Sequence, residues 1–177
     1  VLFHPTSLPG PYGIGDLGPE CIRFLDWMHD VGLGIWQTLP LGPTGFGDSP
    51  YQCFSAFAGN PMLVSPDILI DEGLLTKREV EPLVVRPDRV EYGPIIEWKT
   101  ELLRLAFERY QRERPKHIQD HFHAFCHSRA VKPWLEDYAM FRVIKDIHGG
   151  RPWDQWDPKL RKYDPAALRK FMKDHAD

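Results

Sequence analysis

The first forty residues place an amphipathic helix between two short apolar runs, and this order constrains the fold more than any other feature. Residues 1–3 (VLF) and 35–39 (IWQTL) are short and rich in β-forming side chains, so each is predicted to be a strand. Residues 19–31 begin with a proline and end before Gly32, which is typical of a helix. A strand, a helix and a strand in so short a span predict a βαβ unit with parallel strands.

The loops that leave the carboxyl ends of these strands, residues 4–18 and 40–61, are the candidate functional region. Residues 1–61 hold 10 of the 14 glycines and 8 of the 17 prolines, so turn residues shape both loops. Parallel α/β structures bind their ligands at this end of the strands. We therefore expect the two loops to converge on one rim and to form a wall of a ligand cleft. Five aromatic residues lie in them: Tyr12, Phe46, Tyr51, Phe54 and Phe57.

The chain after residue 61 is predicted to be mostly helical, because its apolar residues recur at helical spacing. Residues 151–158 (RPWDQWDP) are predicted to be a loop. Helices are expected over residues 66–72, 76–81, 97–112, 118–129, 133–148 and 166–172.

Composition excludes several classes of function. The formal net charge of −3 offers no basic surface for nucleic acid or for an anionic membrane. No apolar run approaches the roughly 18 residues of a membrane helix, and no signal peptide opens the chain. Cys21, Cys53 and Cys126 are odd in number and far apart, which indicates a reducing compartment: the cytoplasm, or alternatively a plastid. The chain begins at Val1 without methionine, and we interpret it as a piece of a longer protein.

Residues 13–18 (GIGDLG) match the glycine pattern of dinucleotide-binding turns. In such proteins the turn follows its strand directly, whereas here nine residues with three prolines separate Phe3 from Gly13. The acidic residue expected at the end of the second strand is also missing. We interpret the pattern as a glycine-rich turn into a helix, with nucleotide binding as a remote alternative.

The histidines fit structural roles better than a metal site. His117, His121, His123 and His127 form two pairs spaced four residues apart, which is a spacing that can bind a metal. On one helix, however, the two pairs lie about 200° apart, so the four side chains cannot converge. We predict a solvated helix face, with a structural metal as a remote alternative. His4 lacks a neighbouring nucleophile motif and is predicted to form hydrogen bonds within its loop.

Residues 46–52 (FGDSPYQ) have the composition of a saccharide site. A sugar ring presents C–H groups on its faces and hydroxyls at its edge, so it needs an aromatic ring beside short polar groups. Tyr51, Ser49 and Asp48 provide these groups, and Asp48 could also shape the turn. Asp16, the other carboxylate in the long loops, is predicted to bond its own backbone.

Three segments are distinctive: HPTSLPGPYGIGDLG (4–18), WQTLPLGPTGFGDSPYQ (36–52) and FSAFAGNP (54–61). They resemble the 4-α-glucanotransferases, also known as amylomaltases or disproportionating enzymes. The resemblance continues more weakly through WLEDYA (134–139) and HGGRPW (148–153).

The resemblance implies an α/β fold that is part of a (β/α)8 barrel. Residues 1–61 would form its first two β/α units, residues 62–150 a helical insertion, and residues 151–177 a connecting segment and helix. It also implies the transfer of α-1,4-glucan segments to glucose or glucan acceptors by a retaining mechanism that needs no cofactor. The catalytic carboxylates of the family come from later barrel strands, so no catalytic residue is assigned here.

Substrate contacts are what the resemblance transfers to this sequence. Ser49 and Tyr51 match positions that line the donor site, and we add Asp48 and Phe46. Some members have tyrosines where Phe46 and Ile96 stand, at a second glucan-binding groove, so that groove and the formation of large cyclic glucans are in doubt here. The expected partners are α-1,4-glucans, maltooligosaccharides, glucose and the remainder of the barrel. The alternative is a non-catalytic α-glucan-binding module.

Overall fold

A computed structural model describes residues 1–81, 86 and 88–175, and the side chain of Phe46 lies outside what it describes. The chain divides into two compact units, residues 1–123 and residues 124–177. In the described part of the chain, no helix is both long enough and apolar enough to cross a bilayer.

The two N-terminal apolar runs pair in parallel, as predicted, through one isolated bridge between Leu2 and Gln37. The amide of Phe3 donates to Gln37 (3.2 Å), and the amide of Gln37 donates to Val1 (2.8 Å). Among the described residues the pairing does not extend into strands, so the prediction of two full strands is wrong for this chain. A lone pair of short segments makes too few ladder hydrogen bonds to form an extended sheet.

Helix α1 (Pro19–Asp30) confirms the predicted crossover helix. Pro19 stands at a first-turn position and Glu20 lies at the positive end of the helix dipole, which favours a start here. Phe24 packs at 4.9 Å, ring centre to ring centre, against both Phe3 and Trp36. Aromatic packing thus attaches α1 to the bridge.

Helices α2 (Pro66–Asp71) and α3 (Tyr92–Glu113) contribute to the main core. Helix α3 begins five residues earlier than predicted, because Pro94 lies in the first turn, where its missing N–H costs nothing. The helix predicted over residues 76–81 is wrong: the segment is one turn, whose amide and hydroxyl at Thr76 both donate to Glu79. The core contains Tyr12, Leu74, Leu75, Val80, Leu102 and Ala106.

The remaining helices are α4 (Lys116–His127), α5 (Leu135–Ile147), α6 (Pro158–Arg161) and α7 (Pro165–Asp174). They are close to the predicted ranges, except the four-residue α6, which was not predicted. The predicted loop at residues 151–158 contains a short 3₁₀ turn, Trp153–Gln155. In the second unit, Ile144, Trp156 and Leu168 form the core.

Candidate functional site

The first long loop (residues 4–18) starts at His4, which is buried and bonds within the protein as predicted. Its Nε2 lies 3.3 Å from the carbonyl oxygen of Pro40, the first residue of the second long loop (residues 40–61). A carbonyl only accepts, so Nε2 carries the proton and Nδ1 accepts from the Thr6 amide (3.3 Å). Burial lowers the pKa of His4, although the Pro40 hydrogen bond acts in the opposite direction. His4 is therefore a neutral link between the two loops.

The glycine-rich turn at residues 13–18 is packed against its own chain. A Cβ atom on Gly15 would overlap the carbonyl oxygen of Pro5, and one on Gly18 would overlap the hydroxyl of Ser65. These glycines are required because backbone and side chains approach them closely. Internal packing accounts for the pattern without a bound phosphate.

Asp16 is buried and faces the protein interior. One carboxylate oxygen accepts from the Gly18 amide at 2.9 Å, as predicted for an aspartate in a turn. The other lies 3.8 Å from Nζ of Lys99 on α3. Burial raises the pKa of Asp16, although the Lys99 charge acts in the opposite direction. This carboxylate holds the loop in place and does not face a ligand.

The second long loop folds back on itself like a hairpin. The amide of Asn60 donates to Leu41 at its base (2.9 Å), and an antiparallel bridge joins Thr44 to Cys53. A Cβ atom on Gly45 would lie 2.6 Å from the carbonyl oxygen of Gln52. The absence of a side chain at Gly45 therefore lets the two arms touch, so residues 45–52 project as a narrow tip.

The tip holds the predicted site residues in two consecutive turns, residues 46–48 and 49–52. Phe46–Asp48 form a 3₁₀ turn in which Gly47 and Asp48 both have positive φ, 66° and 55°. Positive φ is unfavourable for a residue with a side chain, although aspartate tolerates it better than most. The hydroxyl oxygen of Ser49 accepts from the Tyr51 amide (3.3 Å), which leaves its proton available to a ligand.

Exposure at the tip suits contact with a solute. Asp48 and Ser49 are half-buried, whereas the Tyr51 side chain is 73% exposed. Phe57, on the returning arm, is also exposed and was not among the predicted site residues. The signal that could have identified it is a large apolar side chain in a loop rich in small residues. Together the loop presents a carboxylate, a hydroxyl and aromatic rings.

The two loops also meet at an apolar cavity of about 680 Å³. Leu17 of the first loop and Leu41 of the second line it, and the amide of Leu17 donates to Leu63 at 2.9 Å. The loop bases are therefore neighbours. The tip residues do not line this cavity, so a saccharide cleft walled by both loops stays a prediction.

The histidines of α4 do not form a metal centre in the described structure. His117 bonds through Nε2 to a carboxylate oxygen of Glu72 at 2.6 Å. Within the described ranges, no three His, Cys, Asp or Glu side chains come together to hold a metal ion.

Comparison with known proteins places these loops in a family. The sequence model described as 4-alpha-glucanotransferase matches residues 3–177. The 4-alpha-glucanotransferase of Thermus thermophilus is 46% identical over 169 residues, which cover 96% of this chain and 33% of that protein. The chloroplastic/amyloplastic enzyme of Solanum tuberosum is 40% identical over 182 residues, covering 100% of this chain and 31% of that protein.

A solved structure agrees with the sequence matches. The amylomaltase of Streptococcus agalactiae, in complex with acarbose, superposes with a TM-score of 0.89 at 33% identity. The match covers 98% of this chain and 35% of that one, so this chain spans about a third of the length of its relatives. Since the family model matches nearly every residue, the chain belongs to the 4-alpha-glucanotransferase family.

Proposed function

We propose that this chain is the N-terminal part of a 4-α-glucanotransferase, which moves α-1,4-glucan segments to glucose or glucan acceptors. The observation that carries the proposal is the tip of the second long loop, where two consecutive turns bring together Asp48, Ser49 and the exposed Tyr51 in a chain of this family. The acarbose complex of the S. agalactiae relative supports a saccharide as the ligand.

The tip residues would divide the recognition of a glucan between them. The exposed Tyr51 ring offers a flat apolar surface for the C–H face of a glucose unit. Ser49 and Asp48 offer hydrogen bonds to its hydroxyls, and we propose Phe46 as a further contact. The positive φ at Asp48 is the kind of backbone strain that is often found at ligand sites.

The chemistry is assigned to residues that this chain does not contain. A retaining transfer needs a nucleophile and an acid/base about 5–5.5 Å apart. Asp16 is buried against Lys99 and cannot reach a glycosidic bond. We therefore assign no catalytic residue here and propose that the catalytic carboxylates lie in the remainder of the parent chain.

We propose that the fold is part of a (β/α)8 barrel. The first two β/α units would lie in residues 1–61, a helical insertion in residues 62–150, and a connecting segment and helix in residues 151–177. The parallel bridge near the start supports this proposal. Leu2 in the bridge and the nearby Val1 and Ile35 are exposed apolar residues that further strands would cover. The remainder of the barrel is thus the proposed protein partner.

The proposed location is the cytoplasm, with a plastid as the alternative. The names of the potato and Arabidopsis thaliana relatives place those two proteins in chloroplasts or amyloplasts. No cofactor is required by the proposed reaction, and no nucleic acid or membrane partner is proposed.

The test is to incubate the complete parent polypeptide with maltotriose and to separate the products by chain length. We expect glucose together with maltooligosaccharides longer than maltotriose, because disproportionation conserves the number of glycosidic bonds. Reducing ends that increase with time would indicate hydrolysis instead. If tryptophan fluorescence shows that maltotriose binds but no new products form, the result would favour the non-catalytic glucan-binding module.

A further inference from the structure

Helix α3 carries one charged residue on its buried face. Ile95, Lys99, Leu102 and Ala106 recur at helical spacing and are all buried, and the Lys99 side chain is only 1% exposed. A buried ammonium group is costly unless it is paired and hydrogen-bonded. The position of Lys99 therefore requires an explanation beyond core packing.

Lys99 reaches both long loops. Its Nζ donates to the carbonyl oxygen of Met62 at 2.6 Å, one residue beyond the end of the second loop. The same Nζ lies 3.8 Å from the Asp16 carboxylate in the first loop. Between these polar contacts, the fully buried Ile95 packs against Ile14 and Met62. One face of α3 thus contacts the first loop and the residue that follows the second.

A second series of contacts also links α3 to both loops. The hydroxyl of Tyr92, in the first turn of α3, lies 3.4 Å from the Thr6 hydroxyl. Thr6 is hydrogen-bonded to His4 (2.7 Å), and His4 donates to Pro40 at the start of the second loop. Both ends of the second loop are therefore linked to α3, one through Met62 and one through His4.

We propose that Lys99 is a positioning residue for glucan binding, which holds the bases of both loops in register through the Met62 carbonyl and Asp16. This inference rests on the proposed function and adds the helix that fixes the loop geometry. Loops that bind in the ground state and the transition state alike affect KM more than kcat. Loss of this link should therefore act mainly on KM.

The ionisation of Lys99 provides a readout that packing alone would not give. Burial lowers the pKa of Lys99 to about 8, although the Asp16 charge acts in the opposite direction. The other ionisable groups around the pair are Asp67 of α2, the phenol of Tyr12 that donates to it, and the Cys21 thiol of α1. Above pH 8 the ammonium becomes a neutral amine, and its attraction to Asp16 is lost.

The pH dependence of stability distinguishes a loss of loop positioning from a loss of folding. Lys99 releases its proton at a lower pH in the folded chain than in the unfolded chain, whose ordinary value is 10.5. As the pH rises from about 8 to 10.5, deprotonation of Lys99 should therefore increase the free energy of unfolding. A rise in KM over this range, without a fall in melting temperature from this group, would come from positioning.

The experiment measures KM and kcat for maltotriose with the complete parent polypeptide. Lys99→Met should raise KM about 5- to 20-fold at pH 7 with kcat within about twofold, and it should abolish the rise in KM above pH 8. Lys99→Arg keeps the charge at all these pH values, so it should restore much of the affinity without the alkaline rise. Asp16→Asn keeps the acceptor for Gly18 but removes the charge, and it should raise KM in the same direction.

Two variants serve as controls, one in a core that contains no residue of either loop and one on the exposed face of α3. Ile144→Ala removes a buried side chain that packs with Trp156 and Leu168, and it should lower stability while leaving KM unchanged. Arg104→Met removes an exposed cation and should change neither.

An unchanged KM in Lys99→Met, or an equal rise in Ile144→Ala, would overturn the proposal. If Lys99→Met does not fold, a wild-type KM that is constant from pH 7 to 9.5 would overturn it. If the wild-type polypeptide makes no longer maltooligosaccharides and binds no maltotriose, the proposed function fails instead.

Discussion

Replacing Tyr51 by alanine tests whether its side chain binds the ligand or packs against the protein. A fully buried tyrosine removes roughly 150–250 Å² from water, and this side chain is 73% exposed. A glucose unit stacked on one face would cover about half of what is exposed, roughly 55–90 Å², worth about 1.4–2.3 kcal/mol. Tyr51→Ala should therefore lower kcat/KM for maltotriose about 10- to 50-fold. The same substitution should change the free energy of unfolding by less than about 0.5 kcal/mol, because little packing is lost.

The assay compares initial rates of glucose release by the complete parent polypeptide with its unfolding in urea. Tyr51→Phe keeps the ring and should retain activity within about threefold. Phe107→Ala removes a comparably exposed ring from α3, away from both loops, and should leave kcat/KM unchanged. Wild-type kinetics in Tyr51→Ala would refute the stacking argument. A loss of stability above about 1 kcal/mol would show instead that the ring packs against the protein.

Three further predictions concern the fold. Gly15→Ala should cost about 1–3 kcal/mol in urea unfolding, because the added methyl overlaps a backbone carbonyl; Gly34→Ala, with nothing within 4 Å, should cost far less. Ile95→Ala should cost about 2–5 kcal/mol, because it empties a fully buried site, and a cost below about 1 kcal/mol would contradict that packing. The hydrogen bonds from Arg109 lower the pKa of Glu79 to about 2, below its ordinary 4.5. Its contribution to stability should thus be complete above about pH 4.5 and lost as the pH falls towards 2, and Glu79→Gln should flatten that part of a pH–stability curve.

Periodicity predicted the long helices well because their apolar faces are what the core buries. In α3, Leu102 and Ala106 face the core, as their spacing indicates. The boundaries were less predictable. Helix α3 starts five residues before its predicted start, and Pro94 in its first turn is compatible with this because a first-turn proline is tolerated. The turn at residues 76–81 was mistaken for a helix because its capping pattern is that of a helix start.

The residues of the candidate site could be proposed from the sequence, whereas the residues that support them could not. The side-chain chemistry of Asp48, Ser49 and Tyr51 is visible in the sequence, and the structure places all three at the tip of one loop, where Tyr51 is exposed and the other two are half-buried. Lys99 was missed because a lysine on an apolar stripe has no visible partner in the sequence. Asp16 lies 83 residues away, and only folding brings the two together.

The two long loops resemble each other in composition but are built for different tasks. The first places His4, Asp16 and the closely packed Gly15 in the interior, so these groups fix its geometry, although Ser7 and Leu17 stay exposed. The second has its base fixed at Leu41 and Asn60 but a strained, exposed tip. Hydrogen bonds to the protein interior restrict the motion of a loop. An exposed aromatic ring, in contrast, can still bury apolar surface when a ligand covers it. We therefore expect the aromatic contacts with a glucan to come from the tip of the second loop, whose base the buried groups of the first loop hold in place.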